Sequence, residues 1–134
     1  MRKLLLLSSF GFKYGLPQDS NYVFDVRFIP NPFYVAELKS LSGMDGAVQE
    51  YIRSSEEAGS FLTSSMLFLD SVIPRYFKSG REFLHVAVGC TGGRHRSVAF
   101  AEWLCGHYKE TSTDMGIDFS VELSHRDVDK ASEA

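Results

Sequence analysis

Residues 83–108 leave a chain of this kind few folds to choose from. Phe83-Leu84-His85-Val86-Ala87-Val88-Gly89 is an apolar run of strand length. Cys90-Thr91-Gly92-Gly93-Arg94-His95-Arg96-Ser97 is a glycine-containing turn, and residues 98–108 carry helical spacing, with Val98, Ala101, Cys105 and Tyr108 as the buried stripe. Strand, turn and helix in succession are the building unit of α/β architecture. The same order makes an anion trap, because glycines let backbone N–H groups turn inward and a helix start adds partial positive charge. Arg94, His95 and Arg96 set cationic side-chain types beside those amides. A bare strand-to-helix turn accounts for the glycines but not for the cations.

The remaining chain supplies partners for this unit. Lys3-Leu4-Leu5-Leu6-Leu7-Ser8-Ser9-Phe10 is continuously apolar at first, as expected of a strand covered on both faces in a parallel sheet. Gly11 to Pro17 reads as a loop. Residues 21–29 predict a second strand, on which Asp25 and Arg27, two apart, share one face. That pair is either a structural ion pair or a pair aimed at a polar ligand. Pro30-Asn31-Pro32 ends the strand. A short helix is expected over 35–39, another over 46–54 with Asp45 as N-cap, and a long one over 56–78. Leu62, Met66, Leu69, Ile73 and Tyr76 form the core stripe of the long helix, which Pro74 should kink or end near its last turn. Residues 117–123 alternate as a last strand, with Ser124-His125-Arg126-Asp127 at its end, and 129–134 read as a frayed tail. The expectation is one compact α/β domain over residues 1–128, with a mainly parallel sheet of about four strands.

Composition narrows the function classes. A chain of 134 residues, 44% hydrophobic and 23% charged, suits one folded domain with a single core. The net charge of -3 counts against a dedicated nucleic-acid binder. Met1-Arg2-Lys3 and the leucines after it imitate a signal peptide only faintly, and no stretch approaches a membrane span. Two cysteines make no disulfide framework and suit a reducing compartment, so the cytoplasm is expected. No cofactor and no metal site is expected.

Cys90 and Arg96 enclose five residues and Ser97 follows, which is the spacing of cysteine-dependent phosphatases. In such an enzyme the thiolate attacks phosphorus while the arginine holds two phosphoryl oxygens with its planar fork. Gly89 stands where those enzymes generally carry histidine, Gly92-Gly93 is unusual in their loop, and no aspartate can be assigned as the acid. The favoured reading keeps the phosphate and drops the attack. Thr91, Gly92, Gly93, Arg94, His95, Arg96 and Ser97 are then the anion-binding candidates, and Cys90 with Arg96 is the catalytic alternative.

Several blocks together resemble a known family. They are Phe10-Gly11-Phe12-Lys13-Tyr14-Gly15, then Val23-Phe24-Asp25-Val26-Arg27-Phe28-Ile29-Pro30-Asn31-Pro32, and then Leu41-Ser42-Gly43-Met44-Asp45. Gly89-Cys90-Thr91-Gly92-Gly93-Arg94-His95-Arg96-Ser97-Val98 and His125-Arg126-Asp127 complete the set. In this order they are similar to the C-terminal domain of the RapZ (YvcJ) family of RNase adapter proteins. The resemblance implies a phosphofructokinase-like, Rossmann-like fold and a non-catalytic sensor of a phosphorylated amino sugar, such as glucosamine-6-phosphate, or of a sugar nucleotide. It implies that Thr91, Gly92, Gly93, His95 and Arg96 hold the phosphate, with Asp25, Arg27, Asn31, His125 and Arg126 as sugar-side candidates. A regulated protein partner and a homo-oligomer are expected on the same ground. The family's P-loop motif does not occur in these residues, so nucleotide hydrolysis is not expected of them. Phe33 stands where RNA-binding members carry a sugar-site histidine, and the ending Asp129-Lys130-Ala131-Ser132-Glu133-Ala134 lacks their basic tail. Any RNA binding is therefore expected to be weak.

Overall fold

β1, Leu4–Gly11, runs through the middle of a four-stranded sheet and is its organising element. The computed structural model describes residues 2–130. β2 is Tyr22–Asp25, β3 is Phe83–Cys90 and β4 is Ser120–His125. The sheet order is β2-β3-β1-β4 and every pairing is parallel. Among the described residues there are three α-helices: α1 at Gly46–Arg53, α2 at Glu56–Lys78 and α3 at Arg96–Thr111. The expected single α/β domain with a parallel sheet is what forms, and it is Rossmann-like.

Burial explains the layering. Leu5 and Leu7 of β1, with Leu84, Val86 and Val88 of β3, are wholly buried in one cluster with Leu69 and Ile73 of α2 and Phe100, Leu104 and Tyr108 of α3. Burying each such side chain is worth about 1.5–3 kcal/mol. The helices therefore share one face of the sheet. Over the other face passes the connection from β1 to β2, where Leu16, Pro17 and Asp19 lie above Leu6, Ser8 and His85. Both faces of β1 are covered, one by helices and the other by this strap.

Some elements depart from the sequence expectation. β2 stops at Asp25 rather than Ile29, because the Asp25 carboxylate accepts from the Arg27 N–H at 2.9 Å and turns the chain. No helix forms over 35–39. A single turn closes there, with the Leu38 and Lys39 N–H groups donating to the Val35 carbonyl, each at 2.9 Å. The next carbonyls are taken by side chains from α3's start, as described below. Asp45 holds the N-cap position of α1 but accepts from the Ser42 N–H at 2.8 Å instead of capping the helix. α2 runs through Pro74 to Lys78, since the turn beyond it closes on the Arg75 and Phe77 carbonyls. β4 starts at Ser120 rather than 117, where Ser120 N–H first meets the Lys3 carbonyl. Of the expected tail, Lys130 is bonded to Asp127, and residues 131–134 lie outside the described residues.

The topology places the glycine-containing turn. Gly11 and Cys90 are register partners at the end of neighbouring parallel strands, so the loops following β1 and β3 emerge side by side. Such carboxyl-terminal edges are where open α/β sheets hold ligands.

Candidate functional site

The loop after β3 is packed backbone to backbone against the end of β1. Gly93 has φ +77°, and a Cβ there would lie 2.5 Å from Gly11 N. A Cβ on Gly11 would lie 2.5 Å from the carbonyl carbon of Gly92. Lys13 N–H donates to the Thr91 carbonyl at 3.2 Å. The glycines are thus needed for close approach as well as for the turn.

From this loop three consecutive side chains reach into the irregular segment 26–45. Arg94 donates to the carbonyls of Leu41 at 3.0 Å, Ser40 at 2.5 Å and Val128 at 3.0 Å. His95 is 3% exposed, and its Nε2 lies 3.2 Å from the Lys39 carbonyl. Burial holds its imidazole below the ordinary value of 6.5, so the ring is neutral at neutral pH and donates to that oxygen. Arg96 is 5% exposed; its Nη1 donates to the carbonyls of Arg27 at 2.8 Å and Ile29 at 3.2 Å. Its Nε is buried without a hydrogen-bond partner. Burial lowers the Arg96 pKa, and the nearby Cys90 and Asp25 act to raise it.

Cys90 and Ser97 close the helix side. Ser97 N–H points at Cys90 Sγ over 3.4 Å and Ser97 Oγ lies 3.1 Å from that sulfur, which is almost wholly buried. The start of α3 is therefore directed at the thiol. Cys105, on the same helix, has its pKa raised by burial and is an inert packed thiol.

The sugar-side candidates separate into two groups. Asp25 and Arg27 form an exposed ion pair at 2.7 Å beside Arg96, and the guanidinium's hydrogen bonds hold the Asp25 carboxyl below its ordinary 3.8. The Arg27 guanidinium also lies 3.8 Å from the Phe12 ring centre. Asn31 Oδ1 accepts from Phe33 N–H at 3.1 Å, shaping the turn at Pro32–Tyr34, and Lys39 lies over the Phe33 ring at 4.6 Å. His125 ends β4 and Arg126 follows it, at the opposite edge of the sheet from β2. His125 turns toward α3, with Ser9 Oγ 2.6 Å from Nδ1 and Glu102 Oε2 2.9 Å from Nε2. Arg126 Nη2 donates to the Gly15 carbonyl at 2.7 Å.

The sequence did not single out Asp127. Its side chain is fully buried and accepts from the Gly11 N–H at 2.8 Å, from Arg126 and from Lys130. Burial pushes its carboxyl up, but these bonds outweigh burial and hold it below the ordinary 3.8. It stood in the His125-Arg126-Asp127 block without a role of its own; the decisive partner, Gly11, is 116 residues away.

With the geometry in view, the chain's relatives can be placed. The family model of the RapZ C-terminal domain matches residues 3–129. A "Nucleotide-binding protein" of Clostridium perfringens (strain SM101) is 50% identical over 122 residues, covering 91% of this chain and 40% of its own length. One of Geobacter sp. (strain M21) is 44% identical over 124 residues, covering 92% of this chain and 41% of its own. A third, from Limosilactobacillus reuteri, is 48% identical over 123 residues. The chain spans about two-fifths of the length of these curated relatives. A match over almost every described residue makes this chain a member of the RapZ C-terminal domain family.

Proposed function

We propose that this domain binds a phosphorylated small molecule at the Cys90 to Ser97 turn, without transforming it, and passes its bound state to a protein partner. The carrying observation is Arg96: a buried guanidinium with an unpartnered Nε and neutral carbonyls, rather than a carboxylate, at its Nη1. A buried cation needs an anion, and a phosphoryl oxygen at Nε supplies one. Thr91, Gly92, Gly93 and Ser97 form the cradle in this reading, and Arg94 and His95 fix its shape. Asp25 and Arg27 stand beside Arg96 and meet the hydroxyl or amino groups of the ligand. Asn31 shapes that rim, and His125 and Arg126 close the β4 side. The relatives' name, nucleotide-binding protein, supports a nucleotide-like ligand, and the family resemblance supports an amino-sugar phosphate or sugar nucleotide. No described helix is long and apolar enough to cross a membrane. Both cysteines are free, which suits a reducing compartment, and on that ground we propose the cytoplasm.

Thermal unfolding in the presence of glucosamine-6-phosphate, a sugar nucleotide and inorganic phosphate tests the reading. At one hundred times Kd a ligand stabilises by about 2.7 kcal/mol, a rise of about 5–10 °C for a domain of this size. Arg96→Ala removes that rise. If none of the three compounds shifts the transition, the proposal fails. The phosphatase alternative rests on Cys90, whose buried sulfur is enclosed by Ser97. Turnover of an aryl phosphate lost in Cys90→Ser would establish it; we expect no turnover.

A further inference from the structure

Two consecutive serines of β1 face opposite sides of the sheet, and each meets a histidine that meets a carboxylate. Ser9, His125 and Glu102 form one chain, running from the sheet to α3, with Ser9 wholly buried. The other runs from Ser8 to His85 to Asp19. Ser8 Oγ lies 2.6 Å from His85 Nε2, and His85 Nδ1 lies 3.2 Å from Asp19 Oδ1. This second chain borders a cavity of about 350 Å³ beneath the strap, with Leu6, Leu16 and Pro17 as its apolar wall.

His85 is 4% exposed, and no partner is aligned for a hydrogen bond with its Nδ1. The Asp19 side chain is 69% exposed, so rotating it into line costs little packing. Catalytic hydrogen bonds are commonly long or misaligned before substrate arrives. A carboxylate at Nδ1 draws the ring proton to that nitrogen, which leaves Nε2 to accept from the Ser8 hydroxyl. Nucleophile, base and orienting acid are then in the order acyl transfer requires. Side-chain donors for a developing oxyanion border the same cavity in Gln18, Ser124 and Arg126. Arg126 uses Nε and Nη2 for its bonds to Asp127 and Gly15, leaving Nη1.

We propose that Ser8, His85 and Asp19 form a base-activated serine centre that hydrolyses small esters with an apolar acyl group, separate from the anion loop. Ser8 Oγ bonds to the ester carbonyl carbon as its proton passes to His85 Nε2. The tetrahedral adduct collapses, the ester C–O bond breaks, and the alcohol leaves with that proton. Water then attacks the acyl-serine, gives a proton to Nε2, and the carboxylic acid departs as the proton returns to Ser8.

The test uses the full chain with a fluorophosphonate probe, with p-nitrophenyl butyrate as substrate. One adduct on Ser8 by peptide mass spectrometry is expected, with none on Ser9, which is wholly buried and bonds to His125 on the other face of the sheet. Ser8→Ala loses both adduct and turnover. Asp19→Asn, at an exposed position, slows both by about a hundredfold while the melting temperature holds. An unlabelled protein, an adduct that persists in Ser8→Ala, or an Asp19→Asn protein that reacts at the original rate overturns the proposal.

Discussion

His95 is where the smallest change in charge should be felt. Burial depresses its pKa from 6.5 and the neutral ring donates to the Lys39 carbonyl. Between the folded and unfolded values the unfolded chain binds more protons, so stability rises with pH in that window. The contribution is complete above the ordinary 6.5 and is lost as pH falls through the depressed folded value. Asp25 and Asp127 have the same sign in a lower window, starting from the ordinary 3.8. Denaturant titration from pH 7.5 downward should therefore show two separate losses of stability. His95→Gln, keeping a neutral donor, should flatten the upper one; an unchanged profile would show that His95 does not carry it.

At the scale of elements, the contacts that matter join regular structure to an irregular segment. Gly43 lies against the start of α3: a Cβ there would sit 2.2 Å from the His95 carbonyl oxygen, and Gly43 N–H donates to the Arg94 carbonyl at 2.8 Å. Gly43→Ala should cost about 1–3 kcal/mol through overpacking, read as a lower denaturant midpoint. In the core, Phe100→Ala on α3 should cost about 3–5 kcal/mol. Strands and helices were legible because periodicity and apolar runs are local signals, as in residues 4–10, 56–78 and 83–108. Segment 26–45 was not, because its carbonyls are satisfied by side chains far along the chain: Arg94 at Ser40 and Leu41, Arg96 at Arg27 and Ile29. The glycine-containing turn and its cationic residue types were recognisable in the sequence, yet the bonds that occupy Arg94 and His95 depend on tertiary folding. The pairing of Ser8 with His85 was likewise hidden, because it depends on sheet register.

For the molecule as a whole, Asp127 is the tie between chain ends. It joins the end of β1 to the residues after β4, and Arg126 extends the tie to Gly15. Asp127→Ala should cost about 1.5–3 kcal/mol, since charge-assisted hydrogen bonds and a buried backbone donor lose their partner together. The expected readout is a lower melting temperature with faster amide exchange at Gly11; retention of both would make the tie redundant.

Arg96 gives the molecule a form of internal accounting. Its guanidinium holds the carbonyls of Arg27 and Ile29 with one nitrogen, while another is left unpartnered. An anion bound as proposed would therefore draw on the same group as the segment 26–45. Any shift of the guanidinium toward the anion weakens its hold on the segment, and any partner that clamps the segment alters the anion's affinity by the same factor. On the function proposed above, occupancy at the turn would thereby be written into the posture of a neighbouring stretch of chain, where a second protein would read it without touching the ligand.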